Sequence, residues 1–574
     1  MNFRGIILMC GLIGTCIAHV PGQANTIFTH AGADAVLHGN YSPATYQATQ
    51  AITDPHLIAA DLQAAISADS LRAYVAALSS FQNRNSGSDT VSDTKGIGAA
   101  RRWAYRKFAQ IGQENENRLL PGYLQFDRSI CTAMQHRNVV AVLPGMDTSA
   151  KGFVLVEAHL DSRCAGTCDT ACIAYGADDN GSGCALVLEL ARVMSRNSYR
   201  RTVVFMLTIA EEQGLYGAEA LSDYCRAEEI PIHAVLNSDV VGGVHCGNTS
   251  SPPSCPGAGD VDSLNLRLFS FGGYNSLHKQ LARFCKLEYQ EVLSPHVTVP
   301  MGLHIMAAED RSGRGGDHIP FRQGGFTAMR FTCANEHGNG SPAPGYTDHQ
   351  HTSADSLGVD TDLDGEIDSL WIDFNYLARN TVINANAASM IALGPETPDF
   401  DATKISANAI AVELLTQLQY GSYRVGIRTL DDDWDTVYTI QGPLDTLLGL
   451  PATTVILSVA SVDAEGTESL FSRETYLNLT GTDAPMPLHL LPNRPNPFDE
   501  ATRITVQMDA PLTYAEAHIS ISDMEGREIQ QIPITLEAQM NEVLFQHGYH
   551  ATGVYFYSIV VDGKVLGTGK MVME

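Results

Sequence analysis

Up to about residue 395 two hydrophobic rhythms alternate along the chain, and beyond it only one persists. Residues 138–143, 153–159, 202–209, 234–240 and 326–332 are short, nearly unbroken apolar runs, the pattern of strands covered on both faces. Between the second and third, residues 182–195 place Leu186, Val187, Leu190 and Val193 at helical spacing. Residues 99–111 repeat that period, and helical patterning begins at Leu71. The alternation predicts an α/β fold over residues 66–394, a three-layer sandwich around a mostly parallel mixed sheet. From 395 to 482 the text is strand-like throughout, with runs at 423–429, 436–440 and 454–462. A proline-rich linker at 485–497 opens a last β unit, residues 483–574, so two small all-β sandwiches should follow the α/β domain. Residues 25–65 carry weak signals and are expected to form an N-terminal extension or propeptide.

The first 24 residues set the compartment. Arg4 precedes an apolar and small-residue run from Gly5 to Ala18, with small residues again at Ala24. That is the build of a secretory signal peptide, too short for a stable membrane span. The net charge of −28, from 64 acidic and 36 basic residues, repels nucleic acid and anionic membranes, so neither is expected as a partner. Cys10 and Cys16 fall in the signal, and the ten remaining cysteines of an exported chain are expected to form disulfides. Cys246 with Cys255 is the favoured pair. Cys164, Cys168 and Cys172, with Cys131 as a candidate partner, suggest bridges that stiffen a loop, with a thiolate zinc site as the alternative.

Five short segments carry the chemistry: EAHLDS (His159, Asp161), GADDNGSG (Asp178, Asp179, Asn180), IAEEQGLYG (Glu211, Glu212), LNSDVVGG (Asp239) and DHQHTSAD (His351, Asp355). Four of the five are expected at or just past the end of a strand, the edge where an open α/β sheet gathers its ligands. Imidazoles and carboxylates brought together there form a costly cluster unless cations neutralise it. The mix of His with Asp/Glu and no Cys suits zinc in a hydrolytic site. A two-metal centre needs a bridging carboxylate, further ligands on each side, and a carboxylate left off the metals to move protons. The neighbours Glu211 and Glu212 can divide those last duties between them.

In this order the five segments resemble the co-catalytic di-zinc peptidases that include bacterial leucyl aminopeptidases. The resemblance covers about residues 135–390. It implies that His159 and Asp239 bind one zinc, Glu212 and His351 the other, that Asp179 bridges, that Glu211 is the general base and that Asp161 orients His159. It also implies that the Asp179–Asn180 bond is a position often cis. GRGGDHIPFRQGGF resembles a further stretch of that family, placing Asp317 and His318 beside the cleft or substrate, with Arg311 and Arg314 as candidates for holding a substrate backbone group or carboxylate. The implied activity is hydrolysis of the N-terminal peptide bond of peptides with a free N-terminus, by a metal-activated water. A carboxypeptidase or dipeptidase of the same fold, or an inactive surface-binding homologue, is the alternative.

The segment TTVILSVASVDAEGTES resembles a fibronectin type III module. LLPNRPNPFDEATRITVQM, ISDMEGREI and GVYFYSIVVDGKVLGTGKMVM are together similar to the C-terminal sorting domains of proteins exported by the bacterial type IX system. This implies secretion to the medium or cell surface of a Gram-negative bacterium, with the secretion machinery as a partner. Separately, DTDLDGEID puts Asp360, Asp362, Asp364 and Asp368 at the oxygen-ligand spacing of a calcium loop. Trp371 stands where an EF-hand needs its bidentate glutamate, so a calcium site there would need another distal ligand such as Asp373.

Overall fold

The computed structural model describes residues 24–246, 260–311, 314–334, 349–362, 364, 367–415, 420–479, 488–508, 511–537, 539–546 and 552–574. Nearly all of the expected signal peptide, and Cys255, lie outside them. Nine strands form the main sheet: β1 (Ala24–Phe28), β2 (Leu120–Ile130), β3 (Ala133–Leu143), β4 (Phe153–His159), β5 (Val203–Thr208), β6 (Ile232–Ser238), β7 (Asn265–Ser270), β8 (Gly302–Ile305) and β9 (Ala328–Cys333). Their spatial order is β1-β2-β3-β5-β4-β6-β9-β7-β8. The central four, β5, β4, β6 and β9, run parallel, while β1, β2 and β3 join by antiparallel pairing and β7 runs antiparallel to β9. The sheet is therefore parallel where it builds the site and mixed at its flanks.

The helices are α1 (Ala31–Leu37), α2 (Pro55–Ala65), α3 (Ala68–Ser79), α4 (Gly96–Glu114), α5 (Gly181–Met194), α6 (Tyr216–Ala227), α7 (Leu277–Glu288), α8 (His318–Gln323) and α9 (Phe374–Leu393). They cover both faces of the sheet, and the strands show it by their period of two. Val154, Val156 and Ala158 of β4 pack with α3, α5 and α9, while Phe153 and Leu155 pack on the opposite side with α1 and α6. Every residue of β4 is buried for that reason, which is why the run reads as continuously apolar.

Residues 24–65 are built into this domain. β1 pairs with β2 at the sheet edge, and Asp54 caps α2 by accepting the Leu57 amide at 3.0 Å. Ile58 and Leu62 of α2 then lie fully buried in the main core.

A two-stranded ribbon follows, β10 (Gly358–Val359) with β11 (Ser369–Leu370), and carries the acidic loop between its strands. Beyond α9 come β12 (Phe400–Ser406), β13 (Ala409–Leu414), β14 (Ser422–Arg428), β15 (Thr436–Gln441), β16 (Leu444–Leu448), β17 (Thr454–Val462) and β18 (Thr475–Asn478). They form sheets of three and four strands with one core between them. The last unit repeats that plan with β19 (Leu488–Leu490), β20 (Ala501–Met508), β21 (Ala517–Ser522), β22 (Glu528–Pro533), β23 (Met540–Gln546), β24 (Gly553–Val561) and β25 (Lys564–Met573). Both units dock on the α/β domain through charge. Glu474 accepts from Arg283 of α7 at 2.9 Å and from Arg428 at 2.6 and 2.8 Å, all three buried. Arg503 reaches both Asp432 and the carbonyl of Ala307.

The cysteines divide in a way the expectation of general pairing did not foresee. Cys131–Cys168 and Cys164–Cys172 are disulfides, closing the loop that follows β4, and this excludes the thiolate zinc alternative there. Cys246 is disulfide-bonded as well. Cys184, Cys225, Cys285 and Cys333 are instead buried thiols. Each sits in an apolar core as a small hydrophobe, and burial pushes the Cys184 thiol up to about 12.

Candidate metal centre

Three of the five segments lie directly at strand ends, and two arrive by other routes. His159 is the last residue of β4, Glu211 and Glu212 follow β5, and Asp239 follows β6. Asp179 reaches the same edge just before α5, and His351 lies between β9 and β10 in the chain. Asn180 sets the α5 end of this arrangement. Its Oδ1 accepts the Gly183 amide at 3.0 Å, capping the helix, and its Nδ2 donates to Ser238 O at 2.9 Å, binding the helix start to β6. A side chain at Gly183 would lie 2.2 Å from Ser238 O, so only glycine lets helix and strand approach this closely. The Asp179–Asn180 peptide bond is cis.

Asp179 stands between two clusters. Its Oδ1 is 3.1 Å from His159 Nε2, and its Oδ2 is 3.2 Å from His351 Nε2. Asp239 Oδ1 completes the first cluster at 3.2 Å from His159 Nε2, and Glu212 Oε2 completes the second at 3.2 Å from His351 Nε2. In each trio the candidate ligand atoms lie within 4.8 Å of one another, so His159, Asp179 and Asp239 could hold one ion and Asp179, Glu212 and His351 another. Two imidazoles and three carboxylates, with no thiolate among them, fit zinc.

The electrostatics carry the same demand for positive charge. Burial alone would raise Asp179, but hydrogen bonds with His159 and His351 outweigh it and hold the carboxyl well below its ordinary range. Burial opposes charge on His351 too, yet Glu212 and Asp179 raise it to about 10. Protons on the imidazoles thus stand in for cations in the metal-free protein. Glu211 differs from its neighbour: burial pushes its carboxyl well above the usual range, with His159 working against the shift.

Asp161 is fully buried and positions two parts of the site. Its Oδ1 lies 3.7 Å from His159 Nδ1, and its backbone carbonyl is 3.0 Å from the same nitrogen. Its two carboxylate oxygens accept the consecutive amides of Glu211 and Glu212, each at 3.3 Å. The chain bends sharply at this edge. Ala210, Val240 and His351 all adopt left-handed backbone conformations, with φ of 61°, 53° and 57°. For the β-branched Val240 that is strained, and the surrounding bonds must offset about 1–3 kcal/mol.

Sequence reasoning missed three arginines. Arg330, within β9, donates from Nη2 to Asp239 Oδ2 at 3.1 Å and from Nη1 to Asp310 Oδ2 at 2.8 Å. A charge inside an apolar strand was the signal that could have found it. Arg84 donates to the carbonyls of Leu160 and Gly176, both at 2.8 Å, and so fixes the loop after β4 from behind. Arg163 donates from Nε to Glu212 Oε2 at 2.6 Å.

The other sequence candidates form the wall beside the centre. Arg311 is 1% exposed and pairs with Asp310 at 3.3 Å, while Arg314 donates to Gln350 Oε1 at 2.9 Å. Asp317 is closed off from solvent, accepts the Thr208 hydroxyl, and is pushed up to about 7 by burial. His318 is equally buried, its Nε2 3.2 Å from the carbonyl of Glu309. On the ribbon, Asp360, Asp362 and Asp368 bring oxygens within 4.8 Å of one another, and Asp364 is not among that group. Asp373 is spent capping α9, accepting the amides of Asn375 and Tyr376 at 2.8 and 2.9 Å.

Residues 138–374 match the model of peptidase family M28. A protein of Leptosphaeria maculans named "Probable zinc metalloprotease" is 31% identical over 345 residues, spanning 58% of this chain and 76% of its own. The chain belongs to peptidase family M28. A second relative of the same description, from Pyrenophora tritici-repentis, is 28% identical over 404 residues, 66% of this chain and 88% of its own. Among solved structures, the LapA aminopeptidase of Legionella pneumophila is similar at 20% identity and a TM-score of 0.42, over 59% of this chain and 75% of that one. Residues 495–574 match the model of the secretion system C-terminal sorting domain. This M28 protein is therefore a zinc metallopeptidase carrying a sorting domain, and among the described helices none is long and apolar enough to cross a membrane.

Proposed function

We propose that this M28 peptidase is a two-zinc aminopeptidase that removes N-terminal residues from peptides outside the cell. The observation that carries this is the division of Asp179, whose two oxygens face two separate histidines at 3.1 and 3.2 Å. His159, Asp179 and Asp239 would hold one zinc, and Asp179, Glu212 and His351 the other. Bound there, zinc supplies Lewis acidity at the scissile carbonyl and lowers the pKa of a nearby water. Glu211 takes the proton from the attacking water on its carboxylate and returns it to the departing amine. A carboxyl raised by its surroundings is suited to both halves of that exchange. Asp161 keeps the Glu211–Glu212 turn and the His159 ring in register throughout.

Recognition of a free N-terminus rather than a C-terminal carboxylate follows from the charge at the edge. The carboxylates there attract an ammonium group. Arg163 spends its donors within the protein, on Glu212 and the carbonyls of Cys164 and Ala165. Arg314, in the adjoining wall, would brace the substrate's backbone, while the buried Arg311 stays with Asp310. The three- and four-stranded unit after α9 would be a fibronectin type III-like spacer. With a signal peptide at the N-terminus, the sorting domain would take the chain through the outer membrane of a Gram-negative bacterium.

The test compares aminoacyl-anilides and free peptides with N-blocked peptides, with and without a chelator. Turnover confined to free N-termini and abolished by chelation supports the proposal. Equal turnover of blocked peptides would make the enzyme a carboxypeptidase or endopeptidase instead.

A further inference from the structure

We infer that Arg101, Arg137 and Tyr123 form a binding site for a phosphate group, free or carried on a small sugar, separate from the metal centre. The chain has 64 acidic residues against 36 basic ones, so carboxylates are plentiful. The buried guanidiniums of Arg283, Arg330 and Arg428 each pair with one. Arg101, in α4, does not. It is only 9% exposed, yet among the described residues it makes no hydrogen bond or ion pair. Burial, with repulsion from Arg137 and Arg102, lowers its pKa to about 10, so it stays charged at working pH. A recessed cation that can neither shed its proton nor find a counter-charge is costly unless an anion joins it.

The surroundings of Arg101 add donors. Arg137 of β3 stands over the Tyr123 ring at 5.7 Å, and its Nε and Nη2 donate to the neutral amides of Gln125 and Gln135 at 2.9 and 3.2 Å. Tyr123 of β2 stacks on Tyr105 of α4 with ring centroids 5.1 Å apart. Its hydroxyl has no hydrogen-bond partner among the described residues. Burial raises that phenol, and the charges of Arg101 and Arg137 work against the shift, which puts all three groups within electrostatic reach of one another. Arg102 is turned elsewhere: it donates to the carbonyls of Thr90 and Val91 at 2.9 and 3.2 Å and pairs with Asp93 at 3.4 Å. Two guanidiniums and a phenol therefore come together from three elements with no carboxylate bonded to any of them. A phosphate group suits this arrangement, because its oxygens point in several directions and two of them match the fork of a guanidinium.

Thermal unfolding of the zinc-loaded full chain, with inorganic phosphate, glucose 6-phosphate, glucose or acetate added, tests this. The wild-type Tm of the α/β domain should rise with phosphate and then level off, since a ligand that binds only the folded state stabilises it by mass action. In Arg101→Met the same rise should need about tenfold more phosphate or more, one charge-assisted bond having been lost. Arg137→Met should behave alike and Tyr123→Phe should shift less, and these serve if Arg101→Met does not fold. Glucose alone should do nothing. Glucose 6-phosphate acting at about tenfold lower concentration than phosphate would make a phosphorylated sugar the ligand, and equal concentrations would make it the free ion. No rise in the wild type, an equal rise with acetate, or a rise kept in full by both arginine variants, as phosphate on the zinc ions would give, overturns the inference.

Discussion

Asp355 holds Asp179 by its backbone: Asp355 Oδ2 accepts the Asp179 amide at 3.0 Å, while Oδ1 accepts the amide of Asp178 at 2.8 Å. The carboxylate that would bridge two ions is thus fixed by a residue that touches neither trio of ligand atoms. In Asp355→Asn one of these amides would face an NH₂ group instead of an oxygen. An orphaned buried amide costs about 1–3 kcal/mol. Zinc affinity should fall about 10–100-fold, as when other groups that orient metal ligands are removed. Equilibrium dialysis against zinc measures this, and unchanged affinity would mean that Asp179 is held by α5 alone.

Zinc binding should also be strongly pH-dependent. His351 is raised to about 10 in the metal-free protein, because Glu212 and Asp179 outweigh the burial that works to lower it. Below that value the imidazole carries a proton, and zinc needs the neutral ring. Each ion bound at His351 must therefore release a proton, and affinity should climb about tenfold per pH unit across the neutral range. Titrations in buffers of differing ionisation enthalpy count the protons directly. No release near pH 7 would show that His351 is not a ligand.

The contrast between Glu211 and Glu212 gives a prediction about catalysis. Glu211 is absent from both ligand trios, whereas Glu212 lies 3.2 Å from His351. Glu211→Gln should reduce kcat by about 10²–10⁴ while leaving zinc stoichiometry intact. Glu212→Gln should instead change the stoichiometry. Metal analysis beside steady-state kinetics on the same preparations separates the two roles, and equal loss of metal from both variants would defeat the division proposed here.

The parts of this site that could be read from the sequence were those in which one segment carries its own context. His159 closes an apolar run, Asp239 follows another, and both runs are strands with all or nearly all residues buried. The parts that escaped depend on pairs far apart in the chain. Arg84 meets Leu160 and Gly176, and Asp310 meets Arg330, through the folded topology alone. β2, β7 and β8 escaped for a related reason: they lie toward the sheet edges, where polar residues interrupt the apolar run. The expectation that all ten cysteines pair failed because nothing local distinguishes Cys225 on a buried helix face from Cys164 on a loop.

The docking of the C-terminal units rests on an ion cluster that can be tested one residue at a time. Glu474, just before β18, pairs with both Arg283 and Arg428, and the three side chains are at most 3% exposed. Neither guanidinium can give up its proton at working pH. Glu474→Gln therefore leaves two buried cations facing a neutral amide, a loss of about 3–5 kcal/mol by comparison with other broken buried pairs. The damage should appear first at the interface, because Asn275 of the α/β domain also depends on Glu474, which accepts its amide at 2.6 Å. In a chain of several domains the expected signature is a separate, earlier unfolding transition rather than a uniform shift. Differential scanning calorimetry should show that transition in Glu474→Gln, accompanied by faster proteolysis between the α/β domain and the unit after α9. A single transition at the wild-type temperature would mean that the apolar contacts of Trp434 and Phe471 with the main core hold the interface without the charges.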